Sequence, residues 1–480
     1  MVHEIEADYL VVGAGAVGMA FVDALIAACD ADVVMVDRRY RPGGHWNDAY
    51  PFARLDQPSA FYGVNSRMLG GDSIDRTGLN SGLYERATAA QVCDYFQRVL
   101  DEQLLPSGRV RFFGMSEYIS AGRGEHRFVS RLTGDATTVR VRRRVVDARY
   151  LEPEIPATHV RSFDAEPGVR LIVPNDLVRL TDPASGFTVI GGGKTGMDAC
   201  LWLLEADVPP EAIRWIRPRD PWLLDLAFHQ PLDFVPRLIE GVSLDLEAAA
   251  QADDVPDLFR RLEACGQLIR IDPGVEPAMY HCATVSEAEL MRLRSIEDVV
   301  RLGRVRHIGP DKIELSGGSI PADRGQVHVD CSAAGFRPRL SRPVFADGQI
   351  TLQQIRAGQV VFSAALTGYV EAAFDNDVQK NRLCPANPNP DTALDWIPVT
   401  YITQQAEIAW SADPDVSSWM RQSRLNASSA LRDHLYHPQM KSALARLAAN
   451  IEPALSKLGT FTAEIPQAGA RQADVAGIEL

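Results

Sequence analysis

The sequence predicts an α/β fold with two βαβ units, a helical insertion in the second unit and a helical C-terminal region. Two stretches carry the prediction. In the first, the apolar run Tyr9-Leu10-Val11-Val12 enters Gly13-Ala14-Gly15-Ala16-Val17-Gly18, a Gly-x-Gly-x-x-Gly turn. Val22, Leu25, Ile26 and Cys29 then share one helical face, and the apolar strand from Asp32 to Val36 ends on Asp37. In the second, Phe187-Thr188-Val189-Ile190 enters Gly191-Gly192-Gly193-Lys194-Thr195-Gly196. Met197, Cys200, Leu201 and Leu204 follow in helical register, and Ile213 to Ile216 makes the next strand. The spacing is that of two Rossmann-like dinucleotide-binding domains.

Each position has a physical job. Gly13 permits the tight turn, Gly15 lets backbone N–H groups of the helix start approach a pyrophosphate, and Gly18 lets helix and strand pack closely. Ala16 begins the helix, and Asp37 offers acceptors to a ribose hydroxyl pair, with Arg38 beside it. Gly191, Gly193 and Gly196 repeat the pattern, and Lys194 and Thr195 complete that turn. The second unit ends its second strand on Arg217, with Arg219 two residues on, where an acid would be expected for a free ribose hydroxyl. A guanidinium there suits a 2′-phosphate, so NADPH is expected. Gly-Lys-Thr does not make a nucleoside-triphosphate loop, because position 188 is Thr and not Gly.

Composition limits the partners. The chain has 480 residues, 46% of them hydrophobic and 23% charged, with a net charge of -14. An acidic surface argues against nucleic acid and against anionic membranes. The seven cysteines, at 29, 93, 200, 265, 282, 331 and 384, include no Cys-x-x-Cys pair, so no metal site is expected. Their scatter fits reduced thiols, and the acidic start Met1 to Glu6 lacks the basic region of a secretory signal, so a cytoplasmic protein is expected. The oligomeric state is open, and a homo-oligomer is compatible with the sequence.

Between the two units the chain reads Gly43-Gly44-His45-Trp46, then Tyr50-Pro51-Phe52-Ala53-Arg54-Leu55-Asp56, then Ser59-Ala60-Phe61-Tyr62. This resembles the flavin-contacting segment of class B flavin monooxygenases, which include microsomal-type flavin monooxygenases, Baeyer–Villiger monooxygenases and N-hydroxylases. The resemblance implies FAD in the first unit, with Gly44, His45, Trp46, Arg54, Asp56 and Tyr62 near the flavin. It also implies Asp56 as the catalytic position, tuning flavin and nicotinamide geometry. The family's Phe-x-Gly-x-x-x-His motif is incomplete: His159 follows Ile155-Pro156-Ala157-Thr158, so it is read as a linker residue. Ser332-Ala333-Ala334-Gly335-Phe336 resembles the family's crossover segment, with Ala334 where Thr is usual.

The domains then run 1–160 for the first part of the FAD-binding domain and 165–325 for the NADPH-binding domain, with a helical insertion at about 225–300. Residues 326–400 return to the FAD-binding domain, and 401–480 form a helical region with a flexible tail. The Pro- and charge-rich segment 153–174 reads as a linker, residues 359–368 as a last strand and turn, and residues 378–395 as an unassigned loop.

Two dinucleotide sites imply that a nicotinamide reduces a bound flavin. With no disulfide pair or iron–sulfur cluster motif to relay electrons, molecular oxygen is the expected acceptor. The expectation is an oxidoreductase that oxygenates a small molecule at nitrogen, sulfur or a carbonyl carbon through a flavin hydroperoxide. Two alternatives remain compatible with the residues: a flavin oxidase or reductase without oxygen transfer, and a non-catalytic dinucleotide sensor.

Overall fold

A computed structural model describes residues 3–122 and 125–465. The first sheet is organised around β1 (His3–Val12), whose Tyr9 to Val12 are buried. Parallel neighbours flank it: β2 (Val33–Val36) and then β3 (Val110–Phe113) on one side, and β4 (Ala136–Asp147) on the other. Parallel strands covered on both faces need such unbroken apolar runs. The Arg-rich stretch before residue 150 belongs to this same sheet. It forms β4, which carries an antiparallel hairpin, Ser116–Gly122 with Glu125–Ser130, on its outer edge.

The second domain is also parallel. β5 (Gly186–Ile190) lies between β6 (Ile213–Ile216) and β9 (Gln326–Asp330). Val299–Val300 extends this sheet beyond β6, and Arg170–Ile172 extends it beyond β9. That last strand lies inside the segment read as a linker. A three-residue edge strand buries too little apolar surface to stand out from prolines and charges.

Helix α1 (Ala16–Ala28) follows β1, and α2 (Lys194–Glu205) follows β5. The chain returns to the first sheet through β10 (Gln349–Thr351), parallel to β4. The apolar run expected as a last strand is instead helix α4 (Val360–Ala373), packed on α1. Gly368 sets their approach: a Cβ there would lie 2.5 Å from the Phe21 carbonyl oxygen. Apolar runs of this length fit a buried strand or a buried helix equally, and packing decided. Part of the unassigned loop is likewise a helix, Asp377–Leu383, whose Asn376 side chain accepts from Val378 and Gln379 N–H.

The insertion is mixed. β7 (Pro221–Asp225) and β8 (Met279–Val285) pair in parallel, and α3 (Val235–Gln251) lies between them in sequence. The stretch at 283–293, read as helical, begins inside β8; its helix is Glu287–Arg294. The insertion and the C-terminal region share one core. Trp222, Leu246 and Tyr280 pack with Trp396 of α5 (Trp396–Ala412) and Leu458 and Phe461 of α6 (Pro438–Glu464). Gln439 of α6 donates to Glu240 at 2.7 Å, and Lys457 to the Ala252 carbonyl at 2.6 Å. The expected flexible tail from Gly469 lies outside the described residues. Among those residues, no helix is long and apolar enough to cross a membrane.

Candidate active site

One cavity of about 1910 Å³ runs between the two dinucleotide-type domains and on to the helical body. Single-ligand pockets commonly span roughly 300–1,000 Å³. This one has room for more than one ligand. The starts of α1 and α2 open onto it, and neither N-cap, Gly15 or Gly193, makes a side-chain capping bond. Their first-turn N–H groups are the kind that bind phosphate.

The glycines divide into two roles. Gly13, Gly15, Gly191 and Gly193 line the cavity, as do Ala16, Lys194 and Thr195. A Cβ at Gly193 would meet nothing within 4 Å, so the space before α2 is open. Gly18 and Gly196 lie behind the turns: a Cβ would sit 2.1 Å from the Gly13 oxygen and 2.2 Å from the Gly191 oxygen. These two hold helix against strand and do not face a ligand. Asp37 is buried at the cavity wall, with its carboxylate accepting from Ala14 N–H and Arg39 N–H at 2.7 Å each. A carboxylate has lone pairs left after two such bonds. The donor set and the open cradles fit two dinucleotides.

The loop read from its Gly-Gly-x-Trp pattern lies on the same wall. Gly43 and Gly44 take φ of 111° and 58°, and a Cβ on Gly44 would lie 3.0 Å from the Gly15 Cα. The loop therefore touches the pyrophosphate-type turn backbone to backbone. Trp46 Nε1 donates to the Tyr62 hydroxyl at 2.7 Å, and Arg54 donates to the Arg86 carbonyl at 3.3 Å. Burial, with Arg39 adding to it, pushes the His45 imidazole down to about 4, so it is neutral near pH 7. Arg38 lies at the rim, paired with Glu152.

Asp56 and Lys194 join the two domains. The Lys194 ammonium is 3.3 Å from Asp56 Oδ1 and also pairs with Asp198, which accepts from the Tyr50 hydroxyl at 2.7 Å. Phe52 stacks on Trp202 at 5.0 Å, so the same loop is fastened to α2 by packing. Burial raises Asp56 above the usual carboxylate range, and the Lys194 charge offsets part of that rise. Burial opposes the Lys194 charge, yet Asp198 and Asp56 together hold it above its ordinary value. A buried pair close by, Arg86 with Glu289 at 2.6 Å, ties the first domain to the helix after β8. Tyr50 opens the stretch that ends on Asp56, whereas nothing in the spacing of Asp198, Arg86 or Glu289 marked them in advance.

The structure corrects Arg217. Its side chain is 1% exposed, does not line the cavity, and lies over the Trp215 ring at 4.6 Å with Asp220 at 3.0 Å. A charge at a strand end can turn inward when an aromatic face and a carboxylate are waiting there. Arg219 does line the cavity and donates to Asp391 at 2.8 Å. His159 lies in the connecting segment, as read, and is anchored there: its Nε2 is 2.9 Å from Asp330 Oδ2, at the end of β9 where the chain crosses back. Asp330 also accepts from the Ser332 hydroxyl at 2.6 Å.

β8 supplies the wall between the domains and the helical body. Its pairing with β7 slips between Trp222 and Leu224, and Cys282 takes a φ of 56°. A bulge breaks the alternation of a strand. Tyr280, His281, Cys282, Ala283 and Thr284 consequently all line the cavity. His281 is 3.1 Å from Asp391, whose carboxyl is held well below its usual range by that contact and by Arg219, against the effect of burial. The seven cysteines are all free.

Two uncapped helix starts facing one cavity, bridged by a charged pair, define a two-dinucleotide-domain α/β protein. The chain belongs to the same family as the uncharacterized proteins Rv2000 of Mycobacterium tuberculosis (strain H37Rv) and Mb2023 of Mycobacterium bovis. Each is 48% identical to it over 434 residues, 90% of this chain and 80% of the relative. No protein-family model matches the chain. Solved structures similar to it include an NADP+-bound cyclohexanone monooxygenase from Rhodococcus sp. Phi1 (TM-score 0.45, 14% identity, 77% of this chain and 84% of that one). They also include an oxidized, NADP-bound steroid monooxygenase (TM-score 0.46, 15% identity, 76% and 85%). A third is a flavin-containing monooxygenase from Stenotrophomonas maltophilia (TM-score 0.41, 16% identity, 86% and 99%).

Proposed function

We propose that the chain is an NADPH-dependent, FAD-containing, monooxygenase-like oxidoreductase acting on a small molecule. One observation carries this reading: two glycine-cradled helix starts open on a single cavity, and Asp56 and Lys194 meet between them. The loop at 43–62, on the same wall, is the stretch that resembles the flavin-contacting segment of class B monooxygenases.

When bound, a flavin supplies the electron relay from nicotinamide to dioxygen, with one oxygen atom passing to nitrogen, sulfur or a carbonyl carbon of the substrate. The chain supplies the rest. The backbone N–H groups at Gly15 and Gly193 would bind pyrophosphate, and Asp37 would receive ribose hydroxyls. Lys194 holds the Asp56 carboxyl in place and brings positive charge to the second cradle. Arg219 lines the cavity, which supports it as the receiver of a 2′-phosphate, for which charge-assisted bonds from Arg are well suited. The free thiols lie outside any Cys-x-x-Cys spacing, which favours oxygen over a thiol relay as the electron acceptor.

The experiment is direct. Purified protein should be yellow, bleach with NADPH under anaerobic conditions, and show NADPH consumption matched to oxygenated product. A Gly15→Val variant should fold yet be colourless. Colourless wild-type protein, or a yellow Gly15→Val, overturns the flavin assignment; peroxide equal to the NADPH consumed overturns oxygen transfer.

A further inference from the structure

The far end of the cavity holds a carboxyl that the cofactor sites do not use. Asp245 of α3 lines it among apolar side chains from three helices: Leu238 and Val242 of α3, Trp396 of α5, and Leu447 and Ile451 of α6. Its Oδ1 is buried and has no hydrogen-bond partner among the described residues. An orphaned buried acceptor is costly, and native chains keep few of them.

We propose that Asp245 is the anchor for a basic nitrogen, and that the substrate of the reaction proposed above is an amine with an apolar body. The inference rests on that reading for what happens at the cavity, but not for what binds at Asp245.

The cations near this wall are committed elsewhere. Arg446 of α6 pairs with Glu247 at 3.1 Å, Lys457 donates to the Ala252 carbonyl, and Arg356 is held by Glu407 at 2.5 Å. On β8, His281 is engaged with Asp391. Among the described residues no cation is paired with Asp245, and burial pushes its carboxyl up to about 8. A ligand N–H is the missing donor. A ketone could use this site only through the protonated acid, in one neutral hydrogen bond. An ammonium group gains a charge-assisted bond, which is roughly twice as strong. The net charge of -14 also draws cations toward the chain. The aliphatic and indole walls fit a hydrocarbon body.

Isothermal titration calorimetry on the purified protein tests this with three probes of similar size: n-octylamine, n-octanol and methyl hexyl ketone. Wild type should bind the amine at least about tenfold tighter than the alcohol or the ketone. Near neutral pH the amine should release about one proton, read from buffers of different ionisation enthalpy, as the carboxyl gives up its own. Asp245→Asn should abolish both the preference and the proton release while leaving alcohol binding unchanged. Asp245→Glu should retain the preference, which rules out simple misfolding. Equal binding of amine and alcohol, a preference for the ketone, an Asn variant that keeps the amine preference, or no binding of any probe overturns the proposal. Flavin absorbance and anaerobic bleaching of the same preparation separate the two readings. A yellow, NADPH-reducible protein without amine preference refutes only the anchor, whereas a colourless one that prefers the amine refutes only the flavin.

Discussion

The Lys194 ammonium stands 3.3 Å from the Asp56 carboxylate, and these residues come from different domains on opposite sides of one cavity. Lys194 is the first residue of α2, so the charged pair sits at the mouth of the second phosphate-type cradle. Position 56 ends the loop that begins at Gly43 and backs onto the first cradle. The pair thus ties the two cradles to one another.

Replacing Lys194 with Gln should expose that coupling. Asp56 and Asp198 would then face each other with no ammonium between them. Lys194 and Asp198 are mostly buried but the Asp56 side chain is 45% exposed, so the cost should be about 1–2 kcal/mol, below that of a fully buried pair. Asp56 would stay protonated to higher pH, because the charge that now lowers it is gone. The acid limb of the pH profile for NADPH oxidation should therefore move up, alongside a fall in the denaturation midpoint. An unchanged profile would mean that the pair does not act on the reaction.

The glycines should separate folding from binding. Ala at Gly18 puts a Cβ 2.1 Å from a backbone oxygen, so stability should fall by at least the ~1–3 kcal/mol typical of overpacking. Gly15 has only Gly44 near its Cβ position, at 3.5 Å, so Gly15→Val should keep most of its thermal stability and lose flavin. Equal melting temperatures for the two variants would contradict the division of roles.

Arg217 and Arg219 should behave differently. Arg217→Ala removes a buried guanidinium from Trp215 and Asp220 and should cost about 3 kcal/mol of stability, softened because Asp220 keeps Arg301 at 2.8 Å. Its effect on cofactor choice should be small. Arg219→Ala should leave stability nearly intact and weaken NADPH about tenfold while sparing NADH, the loss expected for one charge-assisted contact. Steady-state kinetics with both nicotinamides, beside thermal melts, decides the matter. A selective NADPH defect in Arg217→Ala would restore the strand-end arginine to the phosphate role.

Acid should act through His328. Burial and the neighbouring Arg214 push this β9 imidazole down to about 4. Its unfolded value is roughly 6.5, so between the two the unfolded chain holds a proton that the folded chain lacks. Stability from this site is full above about pH 6.5 and declines as pH falls toward 4, by up to about 1.4 kcal/mol per pH unit. His328→Gln should remove that slope, so the stability of wild type relative to the variant should fall with acidification. Parallel curves from urea titrations across this window would refute it.

The sequence by itself determined the two cradles. The positions of Gly13, Gly15 and Gly18, of Gly191, Gly193 and Gly196, and of Asp37 follow from strand–turn–helix geometry. Backbone sterics over a few residues write such geometry directly into residue spacing. The loop from Gly43 to Tyr62 was legible only through its resemblance to the flavin-contacting segment of class B flavin monooxygenases. Only the tertiary structure decided the rest. It turned the apolar run after Gln359 into a helix, because α1 offered Gly368 a backbone to pack against. It buried Arg217, because Trp215 and Asp220 were there to receive it. It brought Asp56 to Lys194, His159 to Asp330, and the Asp245 carboxyl among α5 and α6. Unlike Arg217 and its near neighbours Trp215 and Asp220, these last contacts join residues far apart in the chain. No local propensity encodes them, and they exist only once the two sheets and the helical body have closed around a common cavity.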